Sequence, residues 1–110
     1  MHDVRVVTEP PTRAIAAISG RWVLQILWVV LHSGGMRFTE IQRRIPGISP
    51  PMLSGRLRRL EEDGLLTRVQ HAGAPPRVEY SPTPLAEQLR PLLDELGRWS
   101  RDHFDPPPGG

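Results

Sequence analysis

The chain has 110 residues, a net charge of +2, 38% hydrophobic residues and no cysteine, which is the size of one domain with one modest core and excludes disulfides, thiolate nucleophiles, thiol redox switches and cysteine-based metal sites. All fourteen cations are arginine, so no lysine is present for a Schiff base or a phosphate loop. The four histidines (His2, His32, His71, His103) lack ligand spacing and no nucleophile–base or paired-carboxylate arrangement is visible, so neither an enzyme, a metal nor a cofactor is expected.

The distribution of charge says more than its sum. Between Met36 and Leu60 six arginines face a single acid, Glu40, so that window carries +5 and the remainder −3. The first twenty residues contain acids and prolines with no apolar run of signal-peptide length, so a cytoplasmic protein is expected.

Residues 1–9 alternate loosely through Val4, Val6 and Val7 and read as an N-terminal arm; residues 10–104 read as one folded unit. After Pro10-Pro11-Thr12, the run Ala14-Ile15-Ala16-Ala17-Ile18 predicts a short helix that Ser19-Gly20 interrupts. A second helix over 21–32 is apolar on nearly every face, with Gln25 its one central polar residue. At about a dozen residues it falls well short of the ~20 that cross a bilayer, so it is expected to be buried in protein, one face in the core and another against a partner. Ser33-Gly34-Gly35 ends it. Thr39 is expected to cap a third helix, with Gln42 completing a capping box, and that helix to run to about Ile45.

Pro46-Gly47 forces a turn, and Ser49 followed by Pro50 is a helix start, because proline at the first helical position gives up no hydrogen bond. In this fourth helix Leu53, Leu57 and Leu60 share one face, and Asp63-Gly64 stops it. Residues 65–70 and 77–81 then read as two strands of a hairpin around His71-Ala-Gly-Ala-Pro-Pro76. Thr83-Pro84 opens a last helix carrying Leu85, Leu89, Leu92, Leu93, Leu96 and Trp99, kinked at Pro91. Its two adjoining apolar stripes are wider than docking one terminal helix requires, which points to dimerisation. Residues 105–110, Asp-Pro-Pro-Pro-Gly-Gly, read as a mobile tail.

The architecture expected is mainly α with a small β-hairpin: two short helices around a tight turn followed by an Arg-bearing wing, the layout of a winged helix-turn-helix. A short amphipathic helix on a compact scaffold is what the major groove of DNA admits, with a basic hairpin beside it reaching the backbone. From Ile18 to Trp99 the chain resembles the HxlR-type transcription regulators. The resemblance is carried by Ser19-Gly-Arg-Trp22, Arg37-Phe-Thr-Glu-Ile41, Ile45-Pro-Gly-Ile-Ser-Pro-Pro-Met-Leu53, Arg56-Leu-Arg-Arg-Leu-Glu-Glu-Asp-Gly-Leu65, Pro75-Pro-Arg-Val-Glu-Tyr80 and Thr83-Pro-Leu85. It implies a homodimer joined by its N- and C-terminal helices and binding an inverted-repeat operator. Three departures are visible: the family's sensing cysteine is absent, Pro51 and Gly55 stand where the reading helix is commonly basic and polar, and Trp28 stands where a polar or basic residue is frequent.

The residues assigned to DNA contact are therefore Arg37, Thr39, Ser49, Pro51, Ser54, Gly55, Arg56, Arg58 and Arg77, with Arg59 paired to nearby acids and His71 simply exposed. Trp22, Trp28 and Trp99 form a candidate ligand pocket for a small aromatic or apolar effector, set against the ordinary reading of large aromatics as core or interface. Ile15, Ile18, Leu89, Leu92, Leu93, Leu96 and Trp99 form the candidate dimer interface. The partners expected are double-stranded DNA, a second copy of the chain and a small-molecule effector, with no membrane. The alternative reading keeps the scaffold as a small-molecule-binding or protein-interaction dimer with weakened DNA binding.

Overall fold

A computed structural model describes residues 9–105, so the arm and the tail expected at the two ends lie almost wholly outside the described residues. Helix α1 (Thr12–Ile18) and helix α2 (Val23–Ser33) are bent by 79° at the break between them. Helices α3 (Phe38–Arg44) and α4 (Pro50–Glu62) follow, then strands β1 (Leu66–His71) and β2 (Arg77–Pro82), a four-residue helix α5 (Pro84–Glu87) and the terminal helix α6 (Arg90–His103).

The core gathers around α2. Val23, Ile26, Leu27, Val29, Val30 and Leu31 are buried there, against Ile41 of α3, Leu53, Leu57 and Leu60 of α4, Leu65 and Leu66 at the wing, Ala86 and Leu93. An 11-residue helix with so much of its circumference buried explains an apolar run too short for a bilayer. Among the described residues no single helix is long and apolar enough to cross a membrane. α1 is different: none of its residues is buried, and Ile15 is 47% exposed.

Local chemistry sets most element ends. Ser49 Oγ accepts from the Met52 N–H at 3.2 Å, with proline opening α4 behind it. The helix stops at Asp63 and Gly64, where φ of +77° suits glycine, and the Leu65 N–H donates back to Leu60 O at 2.9 Å. Thr83 works both ways across the hairpin's exit: its Oγ1 accepts from the Ala86 N–H and its hydroxyl donates to Gly64 O at 2.7 Å.

Two sequence expectations need correction. The cap of α3 is Arg37 rather than Thr39, with Glu40, not Gln42, in the third position: Glu40 Oε1 accepts from the Arg37 N–H at 2.8 Å. A carboxylate there also meets the positive end of the helix dipole, an advantage the Gln42 amide lacks. The last helix is not kinked at Pro91 but broken before it, into α5 and α6. Pro91 has no N–H for Glu87 O and its ring would crowd that carbonyl, so the chain restarts with proline in the first turn of α6.

The wing pairs antiparallel from Leu66 opposite Pro82 to His71 opposite Arg77. Met36 adds a third, short pairing: its N–H donates to Tyr80 O at 2.9 Å and the Tyr80 N–H returns to Met36 O at 2.7 Å. That bridge fixes the start of α3 against the hairpin. α6 is tied to α2 at two points. Arg90 donates to Leu31 O while paired to Glu87 at 2.8 Å, and the His32 ring, stacked on Trp28 with centroids 4.5 Å apart, lies 3.0 Å from Asp94 Oδ1.

Candidate functional site

With Leu53, Leu57 and Leu60 directed into the core, a helix turning ~100° per residue places Pro51, Gly55 and Arg58 on the opposite face and Ser54 on its flank. Arg58 is exposed, as are Ser49, Pro50 and Pro51. A Cβ built on Gly55 would meet no atom within 4 Å, so this face is open and its centre is shallow. Arg43, Arg44 and Arg58 have no carboxylate within salt-bridge distance among the described residues.

The three arginines of α4 are not equivalent. Arg56 donates through Nε to Arg21 O at 2.8 Å, and Arg59 through Nη2 to Ala16 O at 2.9 Å, so both lean toward the α1–α2 bend. Arg59 also lies 3.8 Å from Asp63 Oδ2, a loose pairing beside a backbone contact that the sequence did not suggest. Of the three, Arg58 alone is exposed with no side-chain hydrogen bond or ion pair among the described residues.

Arg37 and Arg77 come together across an open hollow of about 420 Å³ between the start of α3 and the wing, lined also by Pro75, Pro76 and Val78. Thr39 is exposed one residue into the same helix start. Each arginine has only a 3.8 Å approach to a carboxylate, Arg37 to Glu40 and Arg77 to Glu79, and pairs this exposed contribute little. His71 is not simply exposed: its Nε2 lies 2.8 Å from Glu79 Oε1, on the carboxylate whose other oxygen Arg77 approaches.

Trp22 and Trp28 line one apolar groove of about 580 Å³ with Leu24, Gln25, Arg44 and Leu96; Trp99 is not part of it. Trp99 instead packs on His103 and Phe104 at the end of α6. Trp22 adopts φ +76°, ψ −10°, an uncommon conformation for a side chain of that size, and its Cη2 would lie 3.5 Å from a Cβ on Gly47. The groove therefore borders the Pro46-Gly47 turn that leads into α4. Sequence reasoning missed Arg44 and Gln25 here. The lone polar residue of an apolar helix and the last arginine of α3 were visible, but nothing local said they shared a wall.

The exposed apolar residues divide by burial. Leu92, Leu96 and Trp99 on α6 and Phe104 just after it are between 41% and 65% exposed, whereas Leu93 is 2% exposed and belongs to the protomer's own core, with Leu89 and Ile18 packed against it. Leu93 is thus removed from the solvent-facing set.

Helix-turn-helix, paired wing and outward arginine together define a transcriptional regulator of the winged helix type, and comparison with known proteins agrees. The model of the HxlR-like helix-turn-helix family matches residues 17–107, and the chain belongs to that family. It is 40% identical over 90 residues to the HTH-type transcriptional regulator YtfH of Escherichia coli K12, covering 82% of this chain and 71% of the relative. A MarR-family transcriptional regulator structure from Porphyromonas gingivalis W83 superposes with a TM-score of 0.79 at 35% identity, over 94% of this chain and 98% of that one. The redox regulator HypR in its oxidized form gives 0.82 at 32% identity, over 89% and 100%. The family and these relatives are regulators, not enzymes.

Proposed function

We propose that the protein binds an inverted-repeat operator in duplex DNA as a homodimer, placing α4 of each protomer in successive major grooves ~34 Å apart. The observation that carries this reading is the open outer face of α4, with Arg58 exposed above a leucine-anchored base and free of carboxylates among the described residues. Arg58 suits guanine O6 and N7 or a phosphate, Ser54 either base or backbone, and Pro51 the methyl group of thymine. Ser49 and Thr39 at helix starts, with Arg37 and Arg77 across the hollow beside the wing, suit phosphates on either side. Leu92, Leu96 and Trp99, with Ile15 on α1, supply the apolar surface that a second copy covers.

With no cysteine to oxidise, regulation in this reading comes from a small aromatic or apolar effector in the Trp22–Trp28 groove, whose volume lies in the range of small-molecule sites. Through Trp22 on Gly47, an occupant that prefers one arrangement of the α3–α4 turn shifts the population competent to bind DNA.

The test is anisotropy titration of the protein with its own upstream region and with random duplex across a salt series. Three arginines per protomer (Arg37, Arg58, Arg77) on phosphate give about six contacts per dimer and a slope of log K against log salt near −5. Equal binding of both duplexes with no salt slope refutes the proposal. A second reading, an effector-binding dimer with weakened DNA affinity, is favoured by Pro51 and Gly55, which put no hydrogen-bonding side chain at the centre of the reading face. Tryptophan quenching by an aromatic metabolite without any footprint on DNA selects it.

A further inference from the structure

α1 carries the exposed Ile15 and buries none of its residues fully; only its last residue, Ile18, packs against the core, so side-chain packing holds one end of the helix alone. Two guanidinium groups of α4 supply what packing does not. Ala16 O lies in the last turn of α1, where a helix leaves its carbonyls without partners, and it receives the Arg59 Nη2–H at 2.9 Å. Arg21 O, in the bend before α2, receives the Arg56 Nε–H at 2.8 Å. Neither carbonyl accepts a backbone N–H among the described residues. Both guanidinium groups also lie against Gly20: a Cβ there would be 3.8 Å from Arg59 Nη1 and 3.9 Å from Arg56 Nε. Positive charge at the C-terminal end of α1 further suits its dipole.

We propose that Arg56 and Arg59 are positioning residues: they lock α1 to the reading helix, so that the packing of α1 against the partner protomer sets the separation and tilt of the two α4 helices. Of the arginines on this helix, Arg58 reads DNA and the other two decide where it is read. The proposal rests on the dimeric DNA-binding reading for its consequence, but not for the lock itself.

The experiment uses the full chain in three forms: wild type, R56A/R59A and R58A. Hydrogen exchange of the α1 amides reads the lock without DNA. Loss of two hydrogen bonds from charged donors is expected to speed that exchange about tenfold in R56A/R59A and to leave it unchanged in R58A. Arg59→Gln, which keeps an uncharged amide donor and leaves Arg56 in place, falls between and guards against a folding defect in the double variant. A series of operators with the half-sites moved apart by one or two base pairs reads the consequence. R56A/R59A is expected to lose its preference for the native spacing while keeping its salt slope; R58A keeps the preference and lowers the slope by about two for the dimer. Unchanged α1 exchange in R56A/R59A overturns the proposal. So does a slope reduced by about four with spacing preference intact, because that makes the two side chains phosphate contacts. A wild-type protein that is monomeric or blind to its operator defeats the DNA-binding reading, and the exchange measurement then decides the lock by itself.

Discussion

Replacing Gly97 with alanine tests the closest approach between α6 and α2. A Cβ at position 97 would lie 2.5 Å from Cη2 and 3.3 Å from Cζ3 of Trp28, and 3.4 Å from Arg101 Nη1. The first distance is far inside van der Waals contact, and the indole is not free to swing because it stacks on His32, itself held by Asp94. Overpacking of this kind costs about 1–3 kcal/mol, while exchanging glycine for alanine inside a helix returns ~1 kcal/mol of propensity. The net expectation is a loss of up to about 2 kcal/mol, seen as a melting temperature lower by up to roughly 8 °C at fixed protein concentration. Gly55→Ala is the matched control. Its Cβ meets nothing within 4 Å, so the propensity gain stands alone and the protein is expected to be more stable by about 0.5–1 kcal/mol. Urea unfolding of both variants, and of Gly97→Ala in a Trp28→Leu background, completes a double-mutant cycle with an expected coupling of about 1–2 kcal/mol. If Gly97→Ala stabilises as much as Gly55→Ala, or if the Trp28 background does not relieve it, the α2–α6 contact is not as close as argued.

Leu57→Ala, removing a fully buried side chain from the core face of α4, is expected to cost about 2–5 kcal/mol in urea unfolding, enough to consume much of a small domain's stability. Ser49→Ala takes away the oxygen that accepts from Met52, with an expected loss of about 1 kcal/mol by the same assay and local fraying of the first turn of α4 in hydrogen exchange. A charge placed on the exposed α6 stripe by Leu92→Asp is expected to leave the protomer folded by circular dichroism, since Leu92 is 55% exposed, and to convert the proposed dimer to a monomer in sedimentation velocity. Arg44→Ala, at the cationic edge of the groove, is expected to weaken quenching of tryptophan fluorescence by anionic aromatic molecules more than by neutral ones.

Much of this protein is determined by short-range signals in the chain. Ser49-Pro50, Thr83-Pro84, Pro46-Gly47 and Asp63-Gly64 start and stop elements through bonds made within a few residues, and the leucines at 53, 57 and 60 fall on one face by helical periodicity alone. The order of helices and the hairpin followed from those signals, and so did the core side of α4. The tertiary structure decided what depends on neighbours distant in sequence. Arg56, Arg58 and Arg59 look alike in the chain, yet two are bound to carbonyls more than thirty residues away and the third has no such bond among the described residues. Trp99 falls outside the groove that joins Trp22 to Trp28, and Leu93 goes inside while Leu92 beside it stays out. The physical reason is that a local pattern fixes which residues share a face, whereas only the packing of other helices onto that face settles which of them meet solvent, a carbonyl or one another.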